Sequence, residues 1–293
     1  GRPPIYEECL EELLQEQLAA GSLLFTTDAN QAVEYSQIQM IAVGTPPNAD
    51  GSANLNAVKA VAQTIANHMN EYRLIVNKST VPVGTADLVS TIIAEQLRDQ
   101  EKNASFDVAS NPEFLREGRA ITDFLYPDRV IIGVNAKKAQ QLLEELYAPI
   151  TQQNKVLLSM KPRAAELSKY AANAFLATKI SFMNEMSQIA ERVGADINEI
   201  KTALGLDPRI SEQFLNPGCG FGGSCFPKDV AALNVIAQQV NYQPNILQAV
   251  IKTNQQQQEL LFHKINHYFE GELQDKIIAL WGLAFKPGTD DVR

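Results

Sequence analysis

The sequence predicts an α/β protein in which a parallel sheet is followed by an all-helical domain and then by the first strand of a second sheet. Three observations predict it. Strand and helix patterns alternate through residues 1–161, and a helix pattern free of Gly and Pro runs from Arg163 to about Val193. The apolar run Lys276 to Leu280 then returns to a strand pattern. At 293 residues the chain exceeds the usual size of one domain, and the changes of pattern divide it into 1–161, 162–270 and 271–293.

The elements follow in order. Leu10, Leu13, Leu14 and Leu18 mark one helix face, closed by Gly21. The strand Ile38 to Val43 ends in Gly44-Thr45-Pro46-Pro47. Leu55, Val58, Val61, Ala62, Ile65 and Met69 recur at helical spacing, and the strand Arg73 to Asn77 stops at Lys78-Ser79-Thr80. A helix carrying Leu88, Ile92, Ile93 and Leu97 leads to the strand Phe106 to Ala109, which stops at Ser110-Asn111-Pro112-Glu113. The strand Arg129 to Val134, a helix from Ala136 to Tyr147 and the strand Lys155 to Leu158 complete the alternation. Gly194 ends the long helix, and a shorter one carries Ile197, Ile200 and Leu204. A glycine-rich loop, Asn216 to Ser224, opens at Pro227 into a helix beginning near Asp229. A further helix spans roughly Pro244 to Phe269, with Gln255 to Gln258 reading as a solvated face. The strand pattern at Lys276 to Leu280 needs neighbours that the sequence does not supply.

A net charge of −9 argues against a nucleic-acid partner, because no basic stripe is present. No apolar run approaches a membrane span, and the opening residues lack the layout of a signal peptide. Cys9, Cys219 and Cys225 are too few for a disulfide framework, and no paired spacing suggests a metal site. The expectation is a cytoplasmic protein with free thiols and no metal.

Three polar clusters stand at strand ends, where open parallel sheets bind ligands; ordinary loop chemistry accounts for them equally well. The segment Gly218 to Asp229 is more specific. Gly222 and Gly223 let a ligand approach closely, and Pro227 marks a helix start whose free amides suit a thiolate at Cys225. Lys228 adds a cation, and Asp229 can accept a proton or orient a water. The plainer alternative is a glycine turn around an inert Cys. Lys169 and Asn173, at i and i+4, share a helix face and suit a developing alkoxide. Taken alone, that pair reads more readily as a solvent-facing Lys beside a tolerated Asn. His68, His263 and His267 carry no such pattern.

The segments Ala42 to Pro47, Lys78 to Thr85, Asn111 to Gly118, Lys169 to Asn173, Gly222 to Asp229 and Phe285 to Arg293 together resemble the UDP-glucose/GDP-mannose dehydrogenase family, in family order. The resemblance implies a partial Rossmann-like NAD-binding domain at 1–161, a central helical dimerisation and catalytic domain at 162–270, and the start of a Rossmann-like nucleotide-sugar domain at 271–293. It implies oxidation of a sugar C6 alcohol to a carboxylate with two NAD in turn, the substrate being UDP-glucose in preference to GDP-mannose. Lys169 and Asn173 would assist the first hydride removal, and Cys225 would trap the aldehyde as a thiohemiacetal and then a thioester. Asp229 and Thr80 would place the hydrolytic water, with Glu113 as general base. Val43, Gly44, Thr45, Pro46, Ser79, Glu117, Lys228 and Arg293 would face NAD. Phe114, Leu115, Arg116, Arg209, Phe214, Asn216, Phe221, Gly222 and Lys286 would join Lys169 and Asn173 in holding the nucleotide sugar. The resemblance also implies a homodimer or larger homo-oligomer, with the long helix at the interface.

Relative to that family the chain lacks the opening strand, the glycine fingerprint and the ribose-binding acid, so the chain alone is expected to bind NAD poorly and turn over little. Two rivals share some features. β-Hydroxyacid dehydrogenases also carry Lys-x-x-x-Asn but use no thiol, and a helical dimerisation fragment would need none of the chemistry.

Overall fold

A computed structural model describes residues 3–151, 156–284 and 286–292. The chain divides into two compact units, residues 1–169 with 286–290 and residues 170–285 with 291–293. The first contains α1 (Leu10–Ala19), α2 (Ala29–Tyr35), β1 (Ile38–Ile41), α3 (Asn56–His68), β2 (Arg73–Asn77) and α4 (Thr85–Asp99). It continues with β3 (Phe106–Ser110), α5 (Ala120–Leu125), β4 (Arg129–Gly133), α6 (Lys137–Thr151) and β5 (Val156–Met160). Helix α7 (Pro162–Val193) begins in the first unit and passes into the second, where α8 (Ile197–Gly205), α9 (Phe226–Gln239) and α10 (Asn245–Tyr268) follow.

The sheet order is β1-β2-β3-β4-β5. β2 pairs in parallel with β1 and β3, and β4 with β5. The exception to the expected parallel sheet is the β3–β4 junction, which is antiparallel and meets only at Ser110 and Gly133, the last residue of each strand. The connection between them explains the reversal. Its only helix, α5, has six residues, about 9 Å of rise, too short to carry the chain back along the sheet as a parallel crossover must.

β2 is buried throughout, and its alternation divides the core. Ile75 packs with Val58, Ala62, Ile65, Val89 and Ile93 from α3 and α4. Leu74 and Val76 pack with Val130, Ile132, Leu143 and Tyr147 from β4 and α6. Each fully buried aliphatic side chain contributes on the order of 2 kcal/mol, so this central strand anchors both layers. The core of the second unit joins Ala174 and Ala177 of α7 to Phe221, Val230 of α9 and Val250 of α10.

Lys276–Leu280 is not a strand. Ile277 and Trp281 are fully exposed. An apolar segment becomes a strand only when a sheet edge accepts its backbone, and among the described residues none does. The other expected strands occur within a few residues of their predicted limits, although Lys155 lies outside the described residues. Among those residues no helix is long and apolar enough to cross a membrane.

Candidate active site

The candidate residues fall into two groups, one in each unit. In the first unit, the loops leaving β1 and β2 are tied together by hydroxyl groups. Ser79 Oγ donates to the Val43 carbonyl at 2.6 Å, and Thr45 Oγ1 donates to the Thr80 carbonyl at 2.8 Å. Asn54 N donates to the Pro46 carbonyl at 2.8 Å. Beside them, nothing lies within 4 Å of the place a Cβ would occupy on Gly44, so a ligand can reach the backbone there.

The loop after β3 brings Glu113 to α7. Lys169 Nζ lies 3.1 Å from Glu113 Oε1, and the Leu115 amide donates to Glu113 Oε2 at 2.6 Å. Lys169 is buried. The Phe114 ring has the Arg129 guanidinium 4.1 Å from its centroid and the Lys169 ammonium 5.4 Å from it. Lys78 Nζ donates to Asn111 Oδ1 at 3.1 Å, and burial is the main reason its pKa falls to about 8. Tyr147 donates to the same Asn111 oxygen, and burial pushes its hydroxyl up to about 12. Arg116 grips Asp123 with two nitrogens, Nε at 2.9 Å and a terminal nitrogen at 2.6 Å. That pair holds the Asp123 carboxyl below its ordinary value. Glu117 accepts from Thr289 Oγ1, in the segment that Lys286 opens. Gly118 admits this segment: at φ 80° a Cβ would stand 2.6 Å from the Gly288 carbonyl oxygen.

In the second unit Cys225 stands immediately before α9, exposed and free, with Pro227 in the first turn. Its carbonyl accepts from the Asp229 amide at 3.0 Å. Ser224 Oγ lies 3.6 Å from the sulfur. Asp229 is 1% exposed. Its Oδ2 accepts from Asn173 Nδ2 at 2.6 Å, and its Oδ1 accepts from Lys228 Nζ. A buried carboxylate held by an amide and an ammonium is fixed in orientation. Lys228 thus turns to Asp229. Phe226 packs against Phe214 and Phe221, each with centroids 6.1 Å apart. Asn216 is exposed, and Arg209 is an exposed partner of Asp207 at 2.6 Å. Arg293 lies outside the described residues.

The glycine loop is held by side chains that the sequence pattern did not single out. Asn254 brackets Phe221, accepting from its amide at 2.7 Å and donating to its carbonyl at 3.0 Å. Asn184 Oδ1 accepts from the Gly218 amide at 2.8 Å, and Gln257 Nε2 donates to the Gly218 carbonyl at 2.7 Å. Gly220, at φ 97°, would place a Cβ 2.9 Å from Asn254 Oδ1. The solvated face expected over Gln255 to Gln258 is therefore corrected at Gln257, which is buried. A run of identical polar residues hides which one of them turns inward.

Comparison with known proteins gives a consistent result. The family model described as "UDP-glucose/GDP-mannose dehydrogenase family, NAD binding domain" matches residues 1–151, and the model of that family's central domain matches residues 163–256. A UDP-glucose 6-dehydrogenase of Pseudomonas aeruginosa is 50% identical over 293 residues, covering all of this chain and 65% of the relative. One from Bacillus subtilis is 47% identical over 290 residues, 99% of this chain and 61% of the relative. The solved structure of a UDP-glucose dehydrogenase from Pyrobaculum islandicum superposes with a TM-score of 0.94 at 43% identity, covering all of this chain and 67% of that one. The chain thus spans 61–65% of the length of these two curated relatives.

Proposed function

Because the chain belongs to the UDP-glucose/GDP-mannose dehydrogenase family, we propose that the protein oxidises the C6 alcohol of UDP-glucose to the carboxylate of UDP-glucuronate, with NAD as cofactor. The observation that carries this reading is the exposed Cys225 at the start of α9, one turn before a buried Asp229 held by Asn173.

The chain's own residues divide the chemistry. Lys169 and Asn173 hold the C6 oxygen as its proton leaves in the first oxidation, which yields the aldehyde. The Cys225 sulfur adds to the aldehyde carbon to give a thiohemiacetal, and loss of a second hydride leaves a thioester on the same sulfur. Asp229 and Thr80 place a water, Glu113 takes its proton, and attack on the acyl carbon releases the carboxylate and the thiol. NAD, when bound, accepts each hydride, two molecules being used per sugar. Gly44, with open space over its backbone, and the hydroxyl-tied residues Thr45 and Ser79 suit such a cofactor. Val43, Pro46, Glu117, Lys228 and Arg293 complete its contacts. Phe114, Leu115, Arg116, Arg209, Phe214, Asn216, Phe221, Gly222 and Lys286 contribute to the sugar-nucleotide site. The protein acts in the cytoplasm as a homodimer or larger assembly.

The test compares the complete protein with its Cys225→Ser variant, counting NADH per UDP-glucose and, in parallel, per GDP-mannose. Two NADH per UDP-glucose, with sustained turnover lost in the variant, is the expected result. An unchanged two-to-one yield in Cys225→Ser removes the thiol from the mechanism. A yield of one NADH, indifferent to the substitution, assigns the protein to single-step dehydrogenation.

A further inference from the structure

Glu166 is a buried carboxylate that the proposed chemistry does not use. It is 2% exposed, and three donors converge on it. The Gly84 amide reaches Oε2 at 2.7 Å, while the Ala86 amide and Ser110 Oγ each reach Oε1 at 2.9 Å. Burial pushes its carboxyl above the ordinary value, and these donors oppose that shift by favouring the anion. Gly84 stands at the N-cap of α4 and offers no side chain of its own, so the positive end of α4 is capped by a carboxylate from another helix.

The connections made through this one side chain are specific. Ser110 is the last residue of β3 and lies three residues before Glu113. Gly84 closes the loop that carries Ser79 and Thr80, whose other end is tied to the loop after β1 through Thr45. Lys169 lies three residues after Glu166 on the same face of α7. Both side chains line one cavity of about 10 Å³, together with Asn77, Ser79, Thr80 and Ser110. Glu166 thus ties α7 to the start of α4 and the end of β3, one turn from the 3.1 Å approach of Lys169 to Glu113. Packing alone does not require this, since apolar residues of similar volume often replace buried ions at no cost in stability.

We propose that Glu166 is a positioning residue, setting the register of Lys169 against the loops bearing Thr80 and Glu113. The inference rests on the dehydrogenase reading for its kinetic consequence and on geometry alone for its structural one. In Glu166→Gln one acceptor oxygen becomes an NH2 group facing a backbone or hydroxyl donor, so α7 must shift to separate them. Displacement of a catalytic group by about 1 Å can cost on the order of 100-fold in rate.

The test uses the complete protein, with Glu166→Gln and the milder Ser110→Ala, which removes one donor of three. Glu166→Gln is expected to lower kcat about 10- to 100-fold with KM for either substrate within about twofold, and Ser110→Ala to fall between it and the wild type. C6-dideuterated UDP-glucose should show a larger isotope effect on kcat in Glu166→Gln. A lower kcat matched by an equally smaller burst of NADH in a single turnover would mean only that less protein is active, and would overturn the proposal. So would a folded Glu166→Gln protein with wild-type kcat. If the wild type itself fails to oxidise UDP-glucose, the dehydrogenase reading falls, and a crystal structure of Glu166→Gln decides the register. Lys169 and Glu113 out of hydrogen-bonding reach support it, whereas an unchanged separation refutes it.

Discussion

At the scale of single residues, Lys78 shows how burial sets protonation in the first unit. Its ammonium faces the carboxylate of Glu113, the cation of Lys169 and the phenol of Tyr147, whose ring centroid lies 6.0 Å away. Desolvation outweighs the attraction of Glu113, and the pKa drops from 10.5 to about 8. The sign of the consequence follows from proton counting. Between pH 8 and 10.5 the unfolded chain binds more protons at this site than the folded one, so folding stability rises with pH across that window. The penalty is present in full below pH 8 and is relieved by pH 10.5, its upper bound being about 3 kcal/mol. Lys78→Met should therefore gain on the wild type at pH 7 and lose that advantage as pH rises. Urea midpoints of both proteins at pH 7 and pH 9.5 check this, and a difference independent of pH refutes it.

At the scale of elements, the loop before Cys225 is held by α7 and α10 more than by its own turns. Asn254 supplies both halves of a backbone-like pair to Phe221, in a buried position. Removing it in Asn254→Ala strands the buried Phe221 amide and leaves its carbonyl only a long bond from Gln258, a loss of roughly 1–3 kcal/mol. Gln258 makes a single bond of 3.4 Å to the Phe221 carbonyl from an exposed position, and Gln258→Ala should change stability by less than about 0.5 kcal/mol. Chemical denaturation of the two variants distinguishes them, and equal losses would refute the clamp. Much of this architecture was legible in the sequence, for local reasons. The all-apolar Leu74-Ile75-Val76 marked a buried strand, and glycines beside Cys225 marked a tight loop before a helix. Glu166 was not legible, because its partners lie 56 to 82 residues away and no spacing rule links them. Lys276–Leu280 shows the opposite limit, since an apolar pattern reports what a segment would bury and not whether the described residues offer it a partner edge.

At the scale of the whole molecule, α7 carries an ordered stripe of exposed apolar side chains. Phe175, Phe182 and Ile189 recur every seven residues and are 66%, 50% and 47% exposed. This spacing keeps them on one stripe of the helix, the pattern of a seam against another helix. A net charge of −9 makes copies of the chain repel one another at long range, so self-association must draw on such an apolar stripe. Burying one Phe on each of two copies is worth on the order of 2 kcal/mol apiece. A charge at the centre of the stripe removes that gain and leaves a carboxylate to be desolvated on each side. For the assembly proposed above, Phe182→Glu in the complete protein should therefore lower the mass seen by sedimentation at micromolar concentration, to half if that assembly is a dimer, while its circular dichroism stays that of the wild type. An assembly of unchanged mass would locate the subunit contact on another surface.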